Sequence, residues 1–226
     1  LLSLYGKCGE KMEELKGERK WTRNIKNVLE QELKKDDDFK KYNYRITCDT
    51  ENNERITAVI SLNKYLKAFN DNNKTDVSVK DFANNQFHPD ILIEEEIRTK
   101  DSSYFIPRVM IECKYNGSSA TPHEILAYNY KADLHKKLYS GLRYGLLIAN
   151  ASYIKKTTIK FGNNFDFILA LEEKPTDDEI NKLVSIIKDN FKCSRELENI
   201  LDSSSKKNNT LCVSIENRLT FKNVKE

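Results

Sequence analysis

The chain lacks the long apolar runs of membrane proteins, and its cysteines and histidines are few and scattered. No stretch approaches the roughly 18 consecutive apolar residues of a membrane-spanning helix, so we expect no membrane partner. The opening residues, 1–5, are too short for a signal peptide and carry no basic leader. The five cysteines form no CxxC pair and the three histidines lie far apart, which argues against a structural zinc site. We therefore predict reduced thiols and a cytoplasmic location.

Several common enzyme motifs are missing as well. The sequence contains no P-loop, no GxGxxG and no GxSxG, so ATP hydrolysis, Rossmann cofactors and α/β-hydrolase chemistry lack support. No internal repeat is present, and 226 residues are enough for one large domain with a sizeable core. The 38 basic and 35 acidic residues nearly balance. That balance fits either a solvated mixed-charge surface or a positive rim around an acidic centre.

The hydrophobic pattern predicts helices and strands in an irregular order. Residues 18–35 carry apolar side chains at helical spacing, and residues 42–48 alternate as a half-buried strand does. The stretch 55–69 fits both patterns, and we favour a short helix there. The later elements are strands at 87–93 and 109–114, a capped helix at 122–139 with Ala127, Tyr130, Leu134 and Leu138 on one face, strands at 143–149 and 165–171, a helix at 176–191 and a last strand at 211–221. Consecutive strands before the helix at 122–139 favour a mixed sheet.

Two of the apolar runs carry charged side chains that favour metal-dependent phosphodiester chemistry. Pro89-Asp90 lies inside the run 87–93, and a second run leads into Glu112-Cys113-Lys114. Residues two apart in a strand share a face, so Glu112 and Lys114 point the same way, and a hairpin brings Asp90 beside Glu112. Adjacent carboxylates repel each other, and a hard divalent cation such as Mg²⁺ removes that repulsion. The alternative is an ordinary hairpin with two carboxylates and a lysine on its surface.

Asp90, Glu112 and Lys114 resemble the signature of the PD-(D/E)xK nuclease superfamily, which includes many type II restriction endonucleases and the archaeal Holliday-junction resolvases. The resemblance covers roughly residues 18–150. It implies an α/β fold with a restriction-endonuclease-like core, a central mixed β-sheet flanked by helices in the order αβββαβ, with insertions.

The resemblance also implies how the chain is divided. Residues 1–226 would form a single nuclease domain, with its core at about 18–171 and a C-terminal helical and strand extension at 172–226. The gap between the two halves of the motif is long, which implies an extended hairpin tip around Glu94 to Ser103.

The activity that the resemblance implies is metal-dependent hydrolysis of phosphodiester bonds in double-stranded DNA, with type II restriction as the favoured biology. One or two Mg²⁺ ions, which Mn²⁺ can replace, would be held by Asp90, Glu112 and the main-chain carbonyl of Cys113. Repair, recombination or transposon-end nucleases share the core, and a non-catalytic DNA-binding subunit would share the fold. A homodimer would suit a palindromic site, because the two-fold axes of protein and DNA then coincide.

The role of Lys114 has three alternatives at this stage. It could orient or activate the attacking water, stabilise charge on the phosphate, or simply pair with Glu112 or Asp90. A further set of candidates on the helix at 122–139 could contact DNA phosphates, unless the tyrosine packs in the core. These candidates are Tyr130, Lys131, Lys136 and Lys137.

A glutamate on the first helix is the remaining candidate. The superfamily often adds such a residue to its catalytic set, and Gly17-Glu18-Arg19 resembles the arrangement found in resolvases. Glu18 is therefore a candidate catalytic residue. Glu14 and Glu30 compete with it for the same role.

Overall fold

The computed structural model describes residues 17–48, 89–98, 103–116, 120–151 and 153–204. In chain order they form α1 (Glu18–Lys35), α2 (Asp37–Lys40), β1 (Tyr44–Cys48), β2 (Ile91–Arg98), β3 (Ser103–Lys114), α3 (Pro122–Leu138), β4 (Arg143–Ala149), α4 (Lys156–Phe161), β5 (Phe167–Leu171) and α5 (Asp177–Ser204). The helix predicted at 55–69 and the strand predicted at 211–221 lie outside these residues, as does Glu14.

The strands form one mixed sheet in the order β1-β2-β3-β4-β5. The first three strands are antiparallel neighbours, whereas β4 runs parallel to β3 and β5 parallel to β4. Helices cover both faces of this sheet. The prediction of an α/β fold with a central mixed sheet flanked by helices is therefore confirmed.

The main core lies between one face of the sheet and helices α1 and α5. Alternate residues of β2 and β3 point into it, as the period of two in a strand requires. The helix that was predicted to end near Phe191 continues to Ser204 and packs in this core. The core side chains from the two helices are Trp21, Ile25, Leu29, Leu33, Leu183, Ile187 and Phe191.

Helices α3 and α4 cover the other face. The capping box predicted at the start of α3 is present, with Thr121 and Glu124 each satisfying the backbone of the other. The predicted buried face of α3 is wrong, because Ala127 and Tyr130 are exposed. The helix instead buries a different stripe, against side chains of β4. This stripe consists of Ile125, Ala132 and His135.

The β2–β3 hairpin is longer than predicted. Pairing continues to Arg98 and Ser103, so the segment expected to be a hairpin tip from Glu94 to Ser103 is mostly paired strand. Its glutamates looked like loop residues, yet Glu94 and Glu95 are buried. They are tolerated because arginines on the neighbouring strands pair with them, Arg45 with Glu94 at 2.6 Å and Arg108 with Glu95 at 2.7 Å.

Two findings concern the predictions of no membrane partner and of reduced thiols. Among the described helices, none has both the length and the apolarity that crossing a lipid bilayer requires. Cys48 and Cys113 are buried free thiols, and Cys193 is an exposed free thiol.

Candidate active site

The register of β2 and β3 brings two carboxylates together. Ile91 pairs with Ile111, so Asp90, which immediately precedes β2, lies opposite Glu112. Residues directly opposite in an antiparallel pair share a face, with Cβ atoms about 4.5–5.5 Å apart. Asp90 Oδ2 accepts a hydrogen bond of 2.7 Å from the Cys113 amide.

Glu112 is buried and Asp90 is half-buried, so the pair is hard to ionise fully. Burial, followed by the charge of Glu112, raises the pKa of Asp90 to about 7. Burial also raises the pKa of Glu112, against the opposing effects of Lys131 and Tyr144. Only 3% of Glu112 is exposed, so Glu112 is not the surface carboxylate that the alternative of an ordinary hairpin assumed. Without a cation the pair keeps a proton at pH values where isolated carboxyl groups have lost theirs.

Lys114 lies at the same end of β3 in a mostly buried position, 9% exposed. Its Nζ is 3.6 Å from Glu18 Oε2, 3.9 Å from Glu124 Oε1 and 5.2 Å from the centre of the Tyr128 ring. Burial alone would lower the pKa of Lys114, but the Tyr128 hydroxyl and the two carboxylates raise it above its ordinary value. Lys114 is therefore protonated at neutral pH, which favours stabilisation of phosphate charge over proton abstraction from water.

Glu18 is the described first-helix glutamate that reaches this site. It is the first residue of α1, and its Oε2 accepts a hydrogen bond of 3.2 Å from the Tyr115 amide in addition to pairing with Lys114. Glu30 lies three turns further along α1, roughly 18 Å away along the helix axis. It pairs with Lys26 and Lys34, so the structure does not bring it to the motif.

The donor set suits a cation that keeps much of its own hydration. Within the described ranges, no three His, Cys, Asp or Glu side chains form a metal-binding group. The two facing carboxylates of Asp90 and Glu112 are nevertheless the oxygen ligands that Mg²⁺ takes, with waters and substrate phosphates completing its shell. The Cys113 side chain points into the main core, where burial raises the pKa of its thiol. The carbonyl of Cys113 as a further ligand stays a prediction.

Two tyrosines belong to this site that the sequence analysis did not select. The Tyr144 hydroxyl on β4 donates a hydrogen bond of 2.8 Å to Glu112 Oε1. Burial and the Glu112 charge raise the pKa of Tyr144 well above its ordinary value, so the hydroxyl stays protonated. On α3, Tyr128 lies between two amines, with Lys131 Nζ 4.9 Å from its ring centre.

A sequence signal for each tyrosine exists. A tyrosine in a buried strand such as 143–149 needs a partner for its hydroxyl, and a carboxylate on the neighbouring strand can supply one. Tyr128 lies four residues after Glu124, so the two share a helix face. This face was not recognised from the sequence because Tyr130 lay on the predicted apolar face of the helix, whereas Tyr130 is 61% exposed.

Two of the three α3 lysines that were proposed to contact DNA form ion pairs within the protein. Lys136 Nζ lies 2.7 Å from Asp166 Oδ2, and Lys137 Nζ lies 2.6 Å from Asp133 Oδ2. Lys131 instead extends towards the site, where its charge acts on Glu112.

The site thus combines a carboxylate pair suited to a divalent cation with a protonated lysine suited to an anionic group. Such a combination can bind and polarise a phosphodiester.

No protein-family model matches this chain, and searches of curated proteins and of solved structures found no match.

Proposed function

We propose that this protein is a Mg²⁺-dependent endonuclease that hydrolyses phosphodiester bonds in double-stranded DNA. The observation that carries the proposal is the facing pair of the half-buried Asp90 and the buried Glu112, with the protonated Lys114 two residues after Glu112 on the same strand. Two adjacent carboxylates with raised pKa values are unfavourable unless a cation neutralises them. The charge of Lys114 lowers both pKa values, yet both remain above their ordinary values, so the pair can still be stabilised by a further cation.

The topology supports the same reading. With the four-residue helix α2 set aside, helix α1, three antiparallel strands, helix α3 and the parallel strand β4 follow the order αβββαβ. This order resembles the core of the PD-(D/E)xK superfamily, with Asp90 immediately before the second strand and Glu112 and Lys114 at the end of the third. We infer a restriction-endonuclease-like core, to which β5 and α5 are additions.

The contacts suggest a separate role for each side chain of the site. A bound Mg²⁺ supplies neutralising charge and lowers the pKa of a coordinated water. Asp90 and Glu112 hold the ion, and the Cys113 amide fixes the orientation of Asp90. Lys114 remains protonated and donates to a phosphate oxygen, where negative charge increases during the attack. Glu18 and Glu124 hold the Lys114 amine in place.

The surroundings of the site can attract a polyanion. Arg19 and Lys20 follow Glu18 at the start of α1, and both are exposed. Lys131 adds a positive charge from α3. Cationic side chains around an acidic centre bind the DNA backbone while the carboxylates bind the metal. Restriction of foreign DNA is the biology that the resemblance favours.

The proposal is tested by incubating the purified chain with supercoiled plasmid. We expect nicked and linear products with Mg²⁺ or Mn²⁺, little product with Ca²⁺, and none in excess chelator. Discrete fragments would support restriction, whereas a smear would support a nonspecific or repair nuclease. An intact plasmid with Mg²⁺ and with Mn²⁺, from protein shown to be folded, would overturn the proposal. DNA binding without cleavage would then identify a non-catalytic subunit.

A further inference from the structure

Tyr144 on β4 contacts Glu112, one of the two candidate metal ligands. The Tyr144 hydroxyl donates a 2.8 Å hydrogen bond to Glu112 Oε1, and both side chains are buried. We propose that Tyr144 is a positioning residue, which turns the Glu112 carboxylate so that its second oxygen is presented to the divalent cation. This inference rests on the proposed function, because it takes Glu112 to be a ligand.

A glutamate needs such a partner at this position. Its side chain rotates about three bonds, and the terminal carboxylate torsion is broad, so packing alone fixes the plane of the carboxylate poorly. A hydrogen bond to one oxygen restricts that plane and leaves the other oxygen for the metal. Partners of this kind behind a ligand commonly change metal affinity or activity by about 10- to 100-fold.

Tyr144 is itself held firmly. Its amide donates a hydrogen bond of 2.6 Å to Asp166 Oδ2, and its carbonyl accepts one of 2.7 Å from the Asp166 amide. Its ring stacks on His135 with centres 5.8 Å apart and lies 6.0 Å from Phe165. Since both the backbone and the ring are fixed, the hydroxyl has a defined position from which to orient Glu112.

A purely structural role would have a different signature. In that case the hydroxyl only satisfies a buried carboxylate, and its removal lowers stability without changing how the folded protein binds metal. A positioning role changes the affinity of the folded protein for the ion. Metal binding, measured separately from DNA cleavage, distinguishes the two roles.

The test is Tyr144→Phe, which removes the hydroxyl and keeps the ring. The matched control is Tyr139→Phe, because Tyr139 donates a comparable 2.9 Å hydrogen bond to Glu198, a carboxylate that we do not assign to the metal site. Each full-length protein is titrated calorimetrically with Mn²⁺ and with Mg²⁺. We expect Tyr144→Phe to bind about 10- to 100-fold more weakly than the parent. We expect Tyr139→Phe to bind like the parent.

Plasmid nicking provides the second readout. The Mg²⁺ concentration for half-maximal rate should rise for Tyr144→Phe, while the rate at saturating Mg²⁺ stays within a few-fold of the parent. If Tyr144→Phe is partly unfolded, the titrations are repeated in sucrose, which favours the folded state. A folded Tyr144→Phe that binds metal like the parent overturns this inference alone. A parent that binds neither ion overturns the proposed function as well.

Discussion

Asp90 lies opposite Glu112 and is held there by the backbone of the strand that carries Glu112. The 2.7 Å hydrogen bond from the Cys113 amide to Asp90 Oδ2 keeps the two carboxylates adjacent although they repel each other. This arrangement places an unfavourable pair of charges inside the folded protein. It should therefore be visible in the stability of the metal-free protein as a function of pH.

The first prediction is that Asp90 lowers the stability of the metal-free protein as pH rises from about 4 to about 7, measured as the difference between the parent and Asp90→Asn. The comparison is needed because His135, whose pKa burial lowers to about 4, contributes with the opposite sign in the parent and in the variant alike. The pKa of Asp90 is about 7 in the folded protein, against an ordinary value of 3.8. Across this window the folded state keeps a proton that the unfolded state has released, so rising pH favours unfolding. The effect is at most about 1.4 kcal/mol per pH unit for one group. Chemical denaturation in chelator at several pH values measures it.

Asp90→Asn should remove the Asp90 contribution, so the free energy of unfolding of the variant should rise relative to that of the parent as pH rises from about 4 to about 7. The amide oxygen of asparagine can still accept from the Cys113 amide, while the titrating charge is gone. The variant should be more stable than the parent at pH 8 and differ less at pH 4. Asp133→Asn is the control, because Asp133 lies on α3 in an ion pair with Lys137. This substitution should leave the slope of the free energy of unfolding against pH unchanged. Equal slopes for Asp90→Asn and the parent would contradict the prediction.

The second prediction concerns Lys114 and its charge. Lys114→Ala should reduce single-turnover cleavage by about 10²- to 10³-fold while DNA affinity changes only modestly. Since the pKa of Lys114 is raised, its role requires charge rather than proton acceptance. Lys114→Arg should therefore cleave faster than Lys114→Ala. An arginine variant as slow as the alanine variant would show that charge alone is insufficient, and an alanine variant near the parent rate would reduce Lys114 to an ion-pair partner.

The third prediction concerns stability away from the site. Arg108 is buried on β3 and bridges Glu95 on β2 and Glu198 on α5, at 2.7 and 2.6 Å. Arg108→Met leaves Glu95 its pair with Arg195 and Glu198 its bond from Tyr139. It should therefore lower the free energy of unfolding by up to about 3–5 kcal/mol, the loss for an uncompensated buried charge. Arg98→Met, which removes an exposed ion pair on β2, should change it little. Denaturant titrations of both variants test this, and similar small losses would show that the bridge does not stabilise the fold.

Much of the architecture could be predicted from local pattern. The helix at Glu18–Lys35 follows from apolar spacing, and the start of α3 from its capping box. The adjacency of Asp90 and Glu112 follows from two apolar runs joined by a hairpin, because the chain order leaves few other ways to pair them.

The parts that could not be predicted depend on partners distant in the chain. Glu94 and Glu95 looked like loop residues because their arginine partners lie on other strands or helices. Similarly, the buried face of α3 is set by its packing against β4, not by the hydrophobicity of the helix itself. The contact between Tyr144 and Glu112 likewise depends on the parallel pairing of β3 and β4, which the local sequence pattern does not specify.

The most direct measurement of the central claim compares plasmid nicking by the parent, Asp90→Asn and Asp133→Asn at matched concentration across a Mg²⁺ titration. If Asp90 and Glu112 hold the catalytic cation, the parent and Asp133→Asn cleave with the same Mg²⁺ dependence, and Asp90→Asn does not cleave although it is folded and binds DNA. Cleavage by Asp90→Asn at the parent rate and with the parent Mg²⁺ dependence would contradict the account and move the reaction to another part of the molecule.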